Sequence, residues 1–244
     1  MGKIMLVTSG KGGTGKSTVA LNLGLSLSKE GKKAIIIELD SGLRCMDIML
    51  GIDKVVYDLG DALCGSCEIS DAIYTSESEP NLSVIAAPEK SDFLFSHNRF
   101  CTFCRHLRSV YDFVILDTPA GLGPQLHAAI SASSAALVVT NLTPVSVRDA
   151  EKATELLKKS GMKNIRLVIN LVPLEVEDKK QIPDLDDVID SVGAQLIAVI
   201  PEDKLLKKSV CDRKKKETNK SIGALAFKNL AKRVMGQDVR LLFK

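Results

Sequence analysis

The chain has 244 residues, of which 33 are basic and 30 acidic, for a formal net charge of +3. This length suffices for one large α/β domain with a sizeable core, and the near balance of charge excludes a general polyanion-binding signature. No apolar run of about 18 residues is present, and the first residues lack the long apolar region of a signal peptide. The sequence therefore predicts a cytoplasmic protein.

Seven short runs rich in Val, Ile and Leu are the predicted strands. Helical patterns separate them, such as the four-residue spacing of Val19, Leu23 and Leu27. Strands without strict polar alternation are typical of a sheet that is covered on both faces. We therefore expect a doubly wound α/β domain with a mainly parallel sheet and helices on both sides. The predicted strands are Ile4–Thr8, Ala34–Leu39, Leu82–Ala86, Phe113–Asp117, Ala135–Thr140, Arg166–Asn170 and Gln195–Ile200.

A glycine-rich segment, GKGGTGKS at residues 10–17, joins the first predicted strand to the first predicted helix. It fits the phosphate-binding pattern GxxxxGK[ST], in the strand-to-helix context that this loop requires. Its backbone N–H groups and the positive end of the following helix favour bound phosphate. Lys16 is expected to reach the β- and γ-phosphates of ATP, and Ser17 to bind Mg²⁺. The predicted ATP-binding residues of this loop are Gly10, Lys11, Gly12, Gly13, Thr14, Gly15, Lys16, Ser17 and Thr18.

Two acidic residues, Glu38 and Asp40, stand at the carboxyl end of the second predicted strand. The alternation of a strand places both side chains on the same side. A carboxylate accepts a hydrogen bond from water and aligns the oxygen lone pair for attack. Asp40 is therefore our candidate for orienting an attacking water.

Six cysteines include two CxxC pairs, Cys64 with Cys67 and Cys101 with Cys104. Two such pairs are compatible with zinc binding or with redox pairing. The second pair, however, lies in a helical pattern over Phe93–Ser109, where residues three apart share a buried face. We favour reduced thiols that serve as small core or half-buried side chains.

A third functional segment follows the strand Phe113–Asp117. An aspartate at the carboxyl end of a buried strand is well placed to hold Mg²⁺, directly or through water, and its alternative role is to cap a helix. The next turn contains Pro119 and Gly121 and is expected to sense the γ-phosphate. Asp117 and Ser17 are thus the predicted metal-binding pair.

The C-terminal part contains a basic stretch, Lys204–Lys220, and a last helix predicted over Ile222–Met235 with Leu225, Leu230 and Val234 facing the core. The basic stretch is either a solvated loop or a patch for anionic lipid or DNA. We assign residues 1–236 to the ATPase domain and 237–244 to a short tail. On a helix, the tail residues Val239, Leu242 and Phe243 share one apolar face, so the tail is either a membrane-targeting segment or a frayed or domain-packed end.

These motifs resemble those of the MinD/ParA family of deviant Walker A ATPases. The extra lysine at Lys11 matches the family's phosphate loop, and residues 38–47 resemble the switch region of its MinD branch, which usually reads DxDxGLRNLD. Here Glu38 replaces the first aspartate and Cys45 the asparagine. Val55–Leu59 and the SVRDA core of Thr143–Ala150 are also similar to that branch. The resemblance covers roughly residues 1–203.

The resemblance implies roles for individual residues. Lys11 is expected to reach the partner's phosphates in an ATP-bound dimer, and Lys11, Lys16 and Asp40 form the catalytic set. Asn170 is expected to contact the adenine, or else to be a plain turn residue, and Pro201 and Asp203 are expected to lie near the base. The implied switch residues are Glu38, Asp40, Gly42, Asp117, Pro119 and Gly121.

For function, the resemblance implies an ATP hydrolase with ATP and Mg²⁺ as cofactors. It would dimerise on ATP binding and position a MinC-like division inhibitor at the membrane to select the division site. A MinE-like or topological activator would stimulate it, and it would be cytoplasmic with a peripheral position on the inner face of the cell membrane.

Three alternatives remain from the sequence. A ParA-like ATPase would hold DNA through Lys204–Lys220, and a regulator of the FlhG type would place flagella. A metal-cluster carrier related to Mrp would need a CxxC pair near the C-terminus, where neither pair lies.

Overall fold

The computed structural model describes residues 2–41, 44–89, 96–174, 184–206 and 221–242. Across these ranges, one eight-stranded sheet has the order β3-β4-β2-β5-β1-β6-β7-β8. All neighbouring strands are parallel except β3 and β4. The strands are β1 Lys3–Thr8, β2 Ala34–Glu38, β3 Tyr74–Thr75, β4 Leu82–Ile85, β5 Phe113–Asp117, β6 Ala135–Thr140, β7 Ile165–Val172 and β8 Gln195–Pro201.

The helices cover both faces of the sheet. They are α1 Lys16–Lys29, α2 Met46–Leu50, α3 Leu59–Cys64, α4 His97–Val110, α5 Pro124–Ala132, α6 Pro144–Lys159, α7 Leu185–Val192 and α8 Ile222–Val234, with a 3₁₀ turn at Ile69–Ala72. None of the described helices is long and apolar enough to cross a membrane.

Two separate apolar clusters form the core, one on each face of the sheet. In β1, Ile4 and Leu6 join the cluster that packs against α3, α4, α5, α6 and α7. Met5 and Val7 point the opposite way, into the cluster that packs against α1, α2 and α8. Successive residues of a strand point to opposite faces, so an all-apolar strand supplies both clusters. The predicted doubly wound fold is confirmed.

Differences from the sequence predictions are local. The two-residue edge strand β3 was not predicted, because two residues are too few to show the alternating hydrophobic pattern of a strand. Helix α4 begins at His97, and residues 93–95 of the predicted helix lie outside the described residues. The assignment of Leu225 to the core was wrong, since Leu225 is 46% exposed whereas Leu230 is fully buried.

The cysteines of the two CxxC pairs lie in different environments. Cys104 is buried and Cys67 and Cys101 are half-buried, as expected, but Cys64 is exposed at the end of α3. Within the described residues, no group of three or more His, Cys, Asp or Glu side chains is arranged to hold a metal ion.

The parallel arrangement brings the functional motifs to one edge. The carboxyl ends of the parallel strands lie along it in the order β4, β2, β5, β1, β6, β7 and β8. Ligands of open α/β sheets bind outside this edge, where loops and helix N-termini converge.

Candidate active site

The phosphate loop connects β1 to α1 through two glycines in the left-handed region. Gly13 has a φ of 80° and Gly15 a φ of 86°, a conformation that side chains disfavour. Gly15 also caps α1, whose first turn begins at Lys16. The loop therefore delivers the N-terminus of α1 to the point where a phosphate would sit.

Gly10 is required by packing against α6. A Cβ at Gly10 would lie 2.0 Å from the carbonyl oxygen of Asp149. The backbone of the SVRDA segment thus supports the start of the phosphate loop, 139 residues earlier in the chain. Substitution of Gly10 would push the loop away from α6.

The two lysines of the loop differ in exposure. Lys16 is 7% exposed and lies against the loop, whereas Lys11 is exposed to solvent. The Ser9 hydroxyl donates to the Lys11 carbonyl at 2.7 Å, which fixes the backbone beneath the Lys11 side chain. Lys16 is thus placed to act within its own chain, and Lys11 is directed outward.

Asp117 is a buried carboxylate at the end of β5. It is 0% exposed, and neither carboxylate oxygen has a hydrogen-bond partner. Burial raises the pKa of Asp117 to about 7, and the nearby Ser17 hydroxyl and Lys16 ammonium oppose this rise. A buried carboxylate without a partner is costly unless a cation completes the site. A carboxylate beside a hydroxyl fits Mg²⁺, which prefers oxygen ligands.

Glu38 lies opposite Asp117 in the sheet, and its carboxylate has partners. Its Oε1 accepts hydrogen bonds from the backbone N–H of Cys45 at 2.7 Å and of Met46 at 3.2 Å, and its Oε2 accepts from Ala87 at 3.3 Å. Burial raises the pKa of Glu38, and these backbone hydrogen bonds oppose the rise. Glu38 therefore holds the N-terminus of α2, at Cys45 and Met46. The same carboxylate connects this end of the switch segment to Ala87, in the loop after β4.

Cys45, which stands where the resembling switch region has an asparagine, is half-buried within the site. Burial and the neighbouring Glu38 carboxylate raise the pKa of the Cys45 thiol to about 12, and the Ser17 hydroxyl lies close enough to oppose the rise. The thiol is therefore protonated at neutral pH. Its position beside Ser17 results from the return of the chain after β2, which local sequence patterns do not reveal.

The segment after β5 is tied to the strand that leads into the phosphate loop. Both the backbone N–H and the hydroxyl of Thr118 donate to the Val7 carbonyl, at 3.2 Å and 3.0 Å. Gly121, with a φ of 89°, donates to the Ser9 carbonyl at 3.4 Å. Pro119 lies half-buried between them. A displacement of residues 118–121 would therefore act on the phosphate loop through these hydrogen bonds.

Two of the predicted base-binding residues make protein contacts. Asn170 is 3% exposed, and its Nδ2 donates to the Thr14 carbonyl at 2.9 Å. Asp203 follows Pro201 at the end of β8 and accepts hydrogen bonds from the backbone N–H of Leu205 at 2.8 Å and of Gly223 at 3.1 Å. Burial alone would raise the pKa of Asp203, but hydrogen bonds from the Ser221 hydroxyl and these amides hold it below its usual value.

The structure thus places Lys16, Ser17, Glu38, Asp117 and Asn170 around the phosphate loop, with Asp40 half-buried two residues beyond β2. Their functional roles stay predictions. Gly42, Phe243 and residues 207–220 of the basic stretch lie outside the described residues.

Comparisons with known proteins agree on one family. The family model described as "AAA domain" matches residues 2–170. The septum site-determining protein MinD of Synechocystis is 32% identical, over 99% of this chain and 92% of the relative. A MinC:MinD cell division protein complex from Aquifex aeolicus matches with a TM-score of 0.89 and 28% identity, over 98% of each chain. MinD of Pyrococcus horikoshii complexed with Mg-ADP matches with a TM-score of 0.84 and 29% identity, over 96% of each chain.

Neutralising Asp117 should change how stability depends on pH in metal-free protein. The pKa of Asp117 is about 7 in the folded state and 3.8 as the reference value, so the folded state keeps a proton that the unfolded state loses. Stability then falls as pH rises from about 4 to 7, and the loss is complete above pH 7. Between pH 5 and 8, Asp117→Asn should remove about 2–3 kcal/mol of this fall.

Urea unfolding with EDTA at pH 5 and pH 8 measures the effect. Asp190→Asn, which removes an exposed carboxylate from α7, is the matched control for the loss of one acidic side chain. An equal fall in wild type and Asp117→Asn would contradict the assignment of a strained carboxylate at this position.

Proposed function

This chain belongs to the MinD family of ATPases, and we propose that it hydrolyses ATP with Mg²⁺, dimerises on ATP binding and positions a division inhibitor at the membrane to select the division site. One observation carries the chemical part of the proposal. The unpartnered, buried carboxylate of Asp117 lies beside Ser17 and the buried Lys16, at the N-terminus of α1. This arrangement suits a magnesium-bound triphosphate, because it supplies a carboxylate for the cation and positive groups for the phosphates.

Each residue of the site would have a separate task. Ser17 and Asp117 would hold Mg²⁺, which when bound offsets the charge of the phosphates. Lys16 would bind the phosphate oxygens, and the backbone N–H groups of the glycine-rich loop would surround them. Asp40, beyond the end of β2 and near Asp117, would accept a hydrogen bond from the attacking water.

Exposed lysine and apolar side chains at the same edge of the sheet support dimerisation. Lys11 extends into solvent from the phosphate loop. Leu122, in the loop between β5 and α5, and Val145, in the first turn of α6, are 44% and 43% exposed. A second copy that covers this edge would bury apolar side chains and bring a second Lys11 to the phosphates. Phosphate charge would then favour the dimer only while ATP is bound.

The partner proposals rest on the relatives. One structural relative is a complex of MinC with MinD, so we propose a MinC-like inhibitor as cargo and a MinE-like or topological activator of hydrolysis. The cell-biological output would be localisation, with hydrolysis setting the lifetime of the dimer.

The C-terminal tail is the proposed membrane contact. Its described part, residues 237–242, is not helical, with Val239 half-buried and Leu242 37% exposed. Arg233 in α8 donates from Nε to the Val239 carbonyl at 2.8 Å and from Nη1 to the Ile197 carbonyl at 2.7 Å. The helical apolar face predicted for the tail would therefore have to form on the membrane. One tail this short binds weakly, and two tails on a dimer bind together by avidity.

Replacing Asp40 should separate binding from turnover. Asp40→Ala should bind MgATP with near wild-type affinity, because phosphate contacts come from the loop, and should lower turnover by about a hundredfold or more. Calorimetry and phosphate release measure the two quantities. Asp40→Asn, which keeps the size but loses the charge, should be similarly slow. Turnover at the wild-type rate in both variants would remove Asp40 from the catalytic role.

Replacing Lys11 should abolish ATP-dependent dimerisation without abolishing ATP binding, since Lys16 remains in place. Light scattering after gel filtration, in an Asp40→Ala background that preserves ATP, measures the mass. Lys163→Ala, which removes an exposed lysine before β7, is the control and should dimerise normally. A Lys11→Ala dimer of normal stability would disprove the contact across the dimer.

The membrane proposal is tested by co-sedimentation with anionic liposomes in ATP and in ADP, for the full chain and for a version that ends at Gly236. We expect pelleting only in ATP and only with the tail, because avidity needs two tails. If no pelleting occurs in either nucleotide, the membrane step is wrong. Salt-sensitive DNA binding would then favour the ParA-like alternative.

A further inference from the structure

Ser9 is a buried residue between the end of β1 and the phosphate loop. It is 0% exposed, and it directly follows Thr8, which pairs with β6. Its backbone carbonyl accepts a hydrogen bond from the Gly121 N–H at 3.4 Å. The next residue, Gly10, lies so close to the backbone of Asp149 that a Cβ would not fit. The position of Ser9 is therefore fixed by the strand and by contacts from two other segments.

The hydroxyl of Ser9 reaches forward to the residue that we expect to act across the dimer. Its Oγ donates to the Lys11 carbonyl at 2.7 Å, the usual length of an O–H···O hydrogen bond. The bond joins residues two apart and closes a turn over Gly10, which is a common local use of a serine hydroxyl. The chain is therefore held in one direction where it reaches Lys11.

The side chain of Lys11 has no comparable support. It is exposed, and its ammonium makes no hydrogen bond or ion pair with any residue that the structure describes. A lysine ammonium stands on a flexible four-carbon stem, so the region that it can reach depends on the position of its Cα and the direction of its Cα–Cβ bond. Ser9 restricts both, because it holds the Lys11 backbone.

We propose that Ser9 is the positioning residue for Lys11, and that its hydroxyl directs Lys11 toward the phosphates bound by a second copy of this chain. Ser9 acts without touching the nucleotide, since its hydroxyl is bonded within its own loop. This inference rests on the proposed ATP-dependent dimer and adds a residue that prepares the contact in each copy. A two-fold dimer contains the Ser9–Lys11 bond twice, so a small loss at each loop is multiplied in the dimer affinity.

Ser9→Ala removes the hydroxyl and leaves Lys11 in place. Loss of one such hydrogen bond changes an equilibrium by roughly threefold, so loss of two should weaken ATP-dependent dimerisation by roughly tenfold. Sedimentation equilibrium in the Asp40→Ala background, which preserves ATP, measures the dimer dissociation constant.

The affinity of the Ser9→Ala monomer for magnesium ADP separates positioning of Lys11 from general support of the loop. It should stay within about twofold of wild type, because Lys16, Ser17 and the N-terminus of α1 are unchanged. Calorimetry measures this affinity, and its stoichiometry reports the folded fraction of each variant.

Two further variants serve as controls. Ser134→Ala removes a hydroxyl that donates to the Ile4 carbonyl at 3.1 Å, near the opposite end of β1, and should leave the dimer unchanged. Ser9→Thr keeps the hydroxyl, so protein of this variant that binds magnesium ADP normally should dimerise within about threefold of wild type.

The outcomes distinguish this inference from the proposed function. Weaker dimerisation of Ser9→Ala with unchanged magnesium ADP affinity would support the inference. Dimerisation of Ser9→Ala at full strength, or equal losses of dimer and magnesium ADP affinity, would overturn the inference alone. An Asp40→Ala protein that stays monomeric in ATP, or a Lys11→Ala dimer of normal stability, would overturn the proposed dimer contact and this inference together.

Discussion

The site depends on one buried carboxylate that the protein leaves without a partner. Asp117 ends the central strand β5, between β1 and β2, where solvent cannot reach it. A buried group in this state costs free energy. The Ser17 hydroxyl and the Lys16 ammonium offset only part of this cost, since the pKa of Asp117 stays raised to about 7. The Leu39 N–H bonds only to the Asp117 backbone carbonyl, at 2.8 Å. A bound cation would relieve the cost, so ligand binding and stability are coupled through Asp117.

Glu38 is as buried as Asp117, but its carboxylate has hydrogen-bond partners. It pairs in register with Asp117, yet three backbone N–H groups occupy its carboxylate. The sequence resemblance places an aspartate at this position, and the additional methylene of Glu38 extends its reach to Cys45 and Ala87. One of two adjacent carboxylates thus holds the surrounding backbone, and the other has no hydrogen-bond partner within the described residues. Separate environments for neighbouring acidic groups are a common way to give them separate roles.

The sequence predicted the features that depend on local patterns. Seven strands, with their ends correct to within two residues, the glycine-rich loop and the place of Asp117 at the end of a strand follow from short-range spacing and composition. It could not predict contacts between distant segments, such as the Asp149 carbonyl against Gly10 or Asn170 against Thr14. The exposure of Leu225 was missed for the same reason, because the buried face of α8 depends on where the sheet and α1 contact it. Cys45 reaches Ser17 only after the chain folds back from β2.

These distant contacts divide the site into a fixed part and a responsive part. Asp149 in α6, Thr118 directly after β5 and Asn170 in β7 contact the phosphate loop or the strand before it. A loop already held in shape loses little conformational freedom on binding, so more of the interaction energy appears as affinity. Asp40 is half-buried beyond the end of β2, and the 119–121 segment contacts the start of the loop through the hydrogen bond from the Gly121 N–H to the Ser9 carbonyl, at 3.4 Å. A displacement of the 119–121 segment would therefore act on the loop through the Ser9 carbonyl, whereas the contacts of Asp149 and Asn170 oppose a change in the shape of the loop.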